Sequence, residues 1–231
     1  MNPSFGIIAP NHGRQKILAL WGASIQRLRN ELGIDIPACV ISGQEDSGIC
    51  EKYILNHIIA PNTPVTNKFN LGTEWIRDMG LDYMTISGSD DIFSTGTIKQ
   101  LIVCMEAEVD LIGIDNIYFY AADGIHRGSM CRLRGKRILG PAKTISAKVL
   151  KKIKWKPWTK DKNWGMDALV TQAIQPHVGE CVLLRDSFVC DVKTRENLNK
   201  ATMWMKKLPK INPQAFYNIL SEEEKQILFS I

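Results

Sequence analysis

Tyr83-Met84-Thr85-Ile86-Ser87-Gly88-Ser89-Asp90-Asp91 is the stretch on which the fold reading turns. Four strand-forming residues run directly into a small polar turn that ends in two carboxylates. Beyond it, Ile98, Leu101, Ile102 and Met105 recur at helical spacing. Strand, acidic turn and helix in that order make a βα unit. In an open α/β sheet ligands bind beyond the carboxyl ends of the strands, so this placement points Asp90 and Asp91 at a cleft. Adjacent carboxylates repel unless a cation or hydrogen-bond donors offset them, and Mg²⁺ or Mn²⁺ bridging to substrate phosphates is the usual arrangement for hard oxygen ligands. A second reading stands beside this one, because Asp ahead of an apolar helical run is also a common helix cap. Capping needs only one of the pair and gives no reason for Gly88, which allows close backbone approach to a ligand.

Outward from this turn the same alternation continues. Phe5-Gly6-Ile7-Ile8-Ala9 reads as a first strand. Ile17, Trp21, Ile25, Leu28 and Leu32 then share one helical face that Gly33 ends. Ala38-Cys39-Val40-Ile41 reads as a second strand and His57-Ile58-Ile59-Ala60 as a short third. Pro61-Asn62-Thr63-Pro64 is turn chemistry before a helix bearing Phe69, Trp75, Ile76 and Met79. Past the acidic turn, 111–114 and 117–120 read as strands, Gly165-Met166-Asp167 opens a helix through Ile174, and a last strand spans Cys181 to Val189. Ser221 with three following glutamates starts a C-terminal helix. The whole predicts an α/β fold, a mostly parallel sheet flanked by helices. It divides into a catalytic unit over 1–195, with 1–105 the nucleotide half and 106–195 the acceptor half, and a helical extension over 196–231.

Composition narrows the function. The chain has 231 residues and a net charge of +5, yet residues 126–162 hold 13 Lys and Arg against one acid, leaving the rest near −7. Charge segregated in this way marks an anionic partner: a diphosphate, a nucleic acid or an acidic surface. The six cysteines form no C-x-x-C pair and stand at no zinc spacing, so reduced buried thiols are expected. No run approaches the roughly 20 apolar residues of a membrane helix, and no signal pattern opens the chain, which points to a cytoplasmic enzyme.

Taken together, the first strand with its polar turn, Asn67-Lys68-Phe69-Asn70-Leu71-Gly72, and then Ser87-Gly88-Ser89-Asp90-Asp91 resemble the family 2 type of GT-A glycosyltransferases, over roughly residues 5–195. Ser89 replaces the first acid of the D-x-D pattern, which makes the turn similar to S-D-D variants. The resemblance implies a Mn²⁺- or Mg²⁺-dependent enzyme using a nucleotide sugar, most simply a UDP-sugar. It implies Asp91 as the metal ligand bridging the donor diphosphate, with Asp90 and Ser89 on the donor side. Pro10-Asn11 and Glu45-Asp46, on the loops after the first two strands, would hold base and ribose together with Asn67 and Lys68. Asp191 would add a further metal or diphosphate contact, and Lys193 could neutralise the leaving diphosphate.

Inverting transfer also needs a carboxylate to accept the acceptor hydroxyl's proton, and Asp167 resembles the acceptor-side acid of such enzymes. Asp167 could equally be a helix cap. The basic run carries Arg127, Arg132, Arg134, Lys136, Arg137 and further lysines interleaved with Trp155, Trp158 and Trp164. Cations for phosphates and aromatic faces for bases or sugars suit DNA or a glycan as acceptor, while Trp as a core anchor is the competing reading. The compact length and local charge also resemble virus-encoded enzymes that place sugars on hydroxymethylated pyrimidines of DNA, acting in the host cytoplasm. Nucleotidyl transfer uses a similar architecture, but Pro10-Asn11-His12-Gly13-Arg14 only approximates a phosphate loop. A non-enzymatic nucleic-acid-binding module would leave the acidic turn without a purpose.

Overall fold

The computed structural model describes residues 3–135, 138–197 and 201–231. Lys136 and Arg137 of the basic run lie outside them. In chain order the elements are β1 (Phe5–Pro10), α1 (Gln15–Leu32), β2 (Ala38–Ser42), α2 (Ser47–Lys52), β3 (Asn56–Ile59), α3 (Val65–Asp78), β4 (Tyr83–Ile86) and β5 (Asp91–Phe93). There follow α4 (Thr95–Glu106), β6 (Leu111–Ile114), β7 (Asn116–Ala121), β8 (Met130–Arg134), β9 (Thr144–Ser146), α5 (Ala147–Lys152) and α6 (Met166–Ile174). The chain closes with β10 (Cys181–Leu184), β11 (Val189–Lys193), α7 (Ala201–Met205), β12 (Lys210–Ile211), α8 (Gln214–Ile219) and α9 (Glu222–Ser230).

A larger sheet runs β10-β6-β9-β4-β1-β2-β3, parallel throughout except for β9, which is antiparallel to both neighbours. Its central strands are buried on both faces, which is why β1, β2 and β4 read as continuous apolar runs rather than alternating ones. One core cluster joins β1 and β2 to Trp21, Ile25 and Leu28 of α1. The other lies on the opposite face, where Phe69 and Ile76 of α3 meet Val149 and Ile174. Gly33, in the left-handed conformation at φ 65°, ends α1 and donates its N–H to Arg29 O, as the sequence led one to expect.

A smaller sheet, β12-β8-β7-β11-β5, stands beside it, with β11 parallel to β7 and antiparallel to β5. Here two expectations are corrected. The strand expected over Cys181–Val189 is two strands in two sheets: Cys181–Leu184 adds to β6, whereas Val189–Lys193 crosses to lie between β7 and β5. The exposed pair Arg185-Asp186 interrupts the apolar run at the crossing. The helix after the acidic turn is capped neither by Asp90 nor by Asp91. Ser94 is its N-cap, its side chain accepting from Thr97 N, and Asp91 instead begins β5.

Residues 201–231 are bound into both layers. β12 pairs with β8, and α9 packs on α1 through the buried ion pair Arg27 Nε–Glu224 Oε2, 2.8 Å. Ser221 and Glu224 form the expected reciprocal capping box. Among the described residues no helix is long and apolar enough to cross a membrane.

Candidate active site at the acidic turn

β4 delivers the turn to the carboxyl end of the larger sheet. Ser87 N donates to Ile8 O at 3.0 Å, and Trp21 Nε1 of α1 donates to Ser87 Oγ at 3.1 Å, so the turn is fastened to β1 and α1 before it reaches its acids. Gly88 N donates to Asp91 Oδ2 at 2.5 Å, and a Cβ at Gly88 would run into the Asp90 and Asp91 carboxylates. Asp91 then pairs directly across the antiparallel β5–β11 ladder with Asp191. Carboxylate oxygens of Asp90, Asp91 and Asp191 lie within 4.8 Å of one another.

The three acids are not equivalent. Asp90 is ringed by donors: Arg14 Nη1 at 2.9 Å, Asn197 Nδ2 at 2.5 Å and Lys193 Nζ at 3.8 Å. Burial pushes its pKa up, but Arg14 and Lys193 outweigh burial and hold it down at about 2. Asp91 is driven well above the ordinary carboxylate range by burial and by the facing charges of Asp191 and Asp90. Asp191 rises to about 7 through burial and repulsion from Asp90, although Lys193 Nζ lies 2.6 Å from its Oδ2. Its Oδ1 is buried without a hydrogen-bond partner. An orphaned carboxylate oxygen facing a second raised carboxylate, with an all-oxygen donor set, fits a hard divalent cation.

A cavity of about 420 Å³ opens beside this cluster, lined by Pro10, Asn11, Arg14, Lys68, Asp90, Lys193 and Asn197 among others. Asn11 joins the surrounding loops: Nδ2 donates to Asp46 Oδ2 at 2.7 Å, Oδ1 accepts from Ser89 Oγ at 2.7 Å, and its carbonyl accepts from Lys68 Nζ at 2.6 Å. Burial lowers the Lys68 pKa, against the pull of Asp46 and Glu45. Asp46 Oδ1 is buried and unpartnered. The structure therefore gathers Pro10, Asn11, Asp46, Lys68, Ser89, Asp90, Asp91 and Asp191 in one place.

Other expected residues fall elsewhere. Glu45 lines a neighbouring cavity with Gln15 and Glu196, and Asn67 is exposed on α3. Asp167 follows the α6 N-cap residue Gly165, so it is not that cap. It is 63% exposed, sits against Gly140 and lies 4.0 Å from Lys143 Nζ, and it does not line the cavity. Trp158 is a core residue, stacked on Phe69 at 4.8 Å, so its ring is closed to an acceptor; Trp155 is partly buried against the same cluster and lies outside the cavity lining. Arg132 lies over the Tyr118 ring and Arg134 pairs with Asp115, opposite Asn116 at the far end of β7 from Ala121, the partner of Lys193. Trp164 alone among the three expected tryptophans is exposed, and its neighbour Asn163 lines the cavity. Sequence reasoning missed Arg14, Glu196 and Asn197. Arg14 follows directly on the loop after β1, a signal that was available; Glu196 and Asn197 reach the site only through the fold.

No family model and no curated protein matches the sequence. Solved structures do. Residues 1–349 of S. aureus TarS superpose with a TM-score of 0.63 at 16% identity, covering 98% of this chain and 70% of that one. The fold is of the GT-A type. Against the longer S. aureus TarS structure the TM-score is 0.59 at 15% identity, and this chain spans 43% of that protein's length. The 4-diphosphocytidyl-2C-methyl-D-erythritol synthase of Anaerococcus prevotii gives a TM-score of 0.53 at 11% identity, covering 80% of this chain and 90% of that one.

Proposed function

We propose that this protein is a metal-dependent glycosyltransferase that moves a sugar from a nucleotide-sugar donor to an acceptor hydroxyl. The observation that carries the reading is the Asp91–Asp191 cross-strand pair, raised in pKa and with one oxygen unpartnered, beside a cavity at the carboxyl end of the larger sheet. Asp91 and Asp191 would hold Mn²⁺ or Mg²⁺. When bound, the ion neutralises the donor diphosphate and stabilises its departure as a Lewis acid.

The chain's own residues do the rest. Asp90, held ionised, fixes Arg14 and Lys193 at the cleft, where the two cations meet the charge that grows on the leaving diphosphate. Asn11 and Lys68 form the nucleotide side, and Asp46, buried behind them, holds the Asn11 amide in place. A carboxylate must take the acceptor's proton away from the metal. Glu196 lines the cavity and is the first candidate for that base; Asp167 stands outside it and is the second. The acceptor is a hydroxyl on a hydroxymethylated pyrimidine of DNA or on a glycan, and the basic run favours DNA.

Nucleotidyl transfer is the rival reading, favoured by Arg14 on the loop after β1. Incubation with Mn²⁺ and either a panel of nucleotide sugars or nucleoside triphosphates plus sugar 1-phosphates separates the two. Slow hydrolysis of a nucleotide sugar to the nucleoside diphosphate supports glycosyl transfer. Pyrophosphate release with formation of a nucleotide sugar overturns it.

A further inference from the structure

The cavity at the acid cluster extends along the carboxyl edge of the larger sheet. That edge runs from the acidic turn after β4, past Asn11 after β1, to Asn62 beyond β3, with β1 and β2 standing between β3 and β4. Hydrogen bonds follow the same path: Ser89 Oγ donates to Asn11 Oδ1 at 2.7 Å, and Lys68 Nζ donates to the Asn11 carbonyl at 2.6 Å and to Asn62 Oδ1 at 3.2 Å. Asn62, Thr63, Val65 and Asn163 line the end of the cavity away from the acids. A diphosphate held at the acids, with Asn11 and Lys68 on the nucleotide side, directs its base toward Asn62 and Asn163.

The two carboxamides are turned the same way. Asn163 Oδ1 accepts from Val65 N at 2.9 Å, and Asn62 Oδ1 accepts from the Lys68 ammonium. A backbone N–H and an ammonium can only donate, so each fixes the amide oxygen and leaves the NH₂ as the open end. Neither Nδ2 has a hydrogen-bond partner among the described residues. Asn163 is held in place by its neighbour, since Lys162 N donates to Thr66 Oγ1 and Thr66 N to Lys162 O, at 3.1 Å each. Thr63 and His12 complete the polar lining, and a hydroxyl or a neutral imidazole both donates and accepts. Two fixed donors select a ring edge with two acceptors. Carbonyl oxygens on either side of a ring N–H meet that demand: each oxygen takes one amide N–H, and the ring N–H donates to Thr63 or His12. An exocyclic amino group in the same place would set N–H against N–H. The cavity, about 420 Å³, takes diphosphate and base together and lies low in the range for ligand sites, which favours one ring over two.

We infer that Asn62 and Asn163 determine base specificity at the donor site, and that they select a diketo pyrimidine, uracil or thymine, over cytosine and the purines. This rests on the transferase reading in one respect only, that a nucleoside diphosphate occupies the cavity.

The test is calorimetric titration of the full chain with UDP, TDP, CDP, GDP and ADP in Mn²⁺. UDP, TDP or both bind the wild type at least about tenfold more tightly than the other three, as two hydrogen bonds made or missed would give. The variants Asn163→Asp and Asn62→Asp keep the shape and the oxygen that Val65 N or Lys68 holds, but turn the open donor into an acceptor. The added negative charge weakens all five ligands alike, so the quantity read is the ratio of UDP to CDP affinity, which falls about fivefold or more in each variant because the new oxygen repels a carbonyl and accepts from an amino group. Equal metal-dependent binding of all five, CDP or a purine nucleotide foremost, or an unchanged ratio in both variants would overturn the assignment and leave the transferase reading standing. Absence of metal-dependent binding by every diphosphate would overturn that reading, and the assignment with it.

Discussion

Asp90 and Asp91 are neighbours in sequence whose pKa values are pushed in opposite directions. Three donors keep Asp90 ionised, whereas Asp91 faces Asp191 directly across the β5–β11 ladder. The raised pKa values carry a stability consequence. A carboxylate whose folded pKa lies above its unfolded value binds more protons when folded. Its contribution is therefore present below the unfolded value and lost as pH rises through the folded one. For Asp191 that window runs from 3.8 to about 7. Metal-free protein should lose Tm between pH 5.5 and 8, and Asp191→Asn should reduce that loss by about 2 kcal/mol, or roughly 4–8 °C. Differential scanning fluorimetry with EDTA checks it; identical pH profiles for wild type and variant would contradict it. Mn²⁺ at pH 8 should recover the wild-type Tm and leave the variant unmoved.

At the scale of elements, β5 is only three residues long and depends on its neighbours. Arg27 of α1 donates to Phe93 O of β5 at 2.8 Å and pairs with Glu224 of α9, so the last helix supports the strand that presents Asp91. Glu224→Ala leaves the buried guanidinium only the partly exposed Glu31, 3.5 Å away, as a carboxylate partner and should cost about 2–3 kcal/mol, lowering Tm by several degrees or more. Thermal melts measure it, and a shift under about 2 °C would show that the pair is not structural. This support was invisible in the sequence, because 197 residues separate Arg27 from Glu224. Continuous apolar runs made β1, β2, β4 and β6 legible. β9 and β12, at three and two residues, carry too little periodicity to be read. Asp191 was read as following the last strand because the apolar run was taken as one element. The pairing of β11 shows two, with Asp191 inside the second.

Over the whole molecule, charge is sorted: three acids gather where the acidic turn meets β11 at the sheet end, and among the described residues the exposed lysines between Lys151 and Lys162 pair with no acid. The strand-end rule made the acidic turn legible as a site, and the count of charges made the basic run legible as a surface. Asn197 was not, since it meets Asp90 only through the fold, 107 residues apart in sequence. Trp158 misled because an apolar ring in a basic run looks the same in sequence whether it faces solvent or Phe69. The central claim is that the Asp91–Asp191 pair binds a divalent cation that in turn binds a nucleoside diphosphate. Isothermal titration with UDP, GDP, CDP and TDP, in Mn²⁺ and again in EDTA, tests it most directly. At least one diphosphate should bind the wild type about tenfold or more tightly with Mn²⁺, and Asp91→Asn should abolish the difference. Equal affinity in Mn²⁺ and EDTA for every diphosphate would contradict the account.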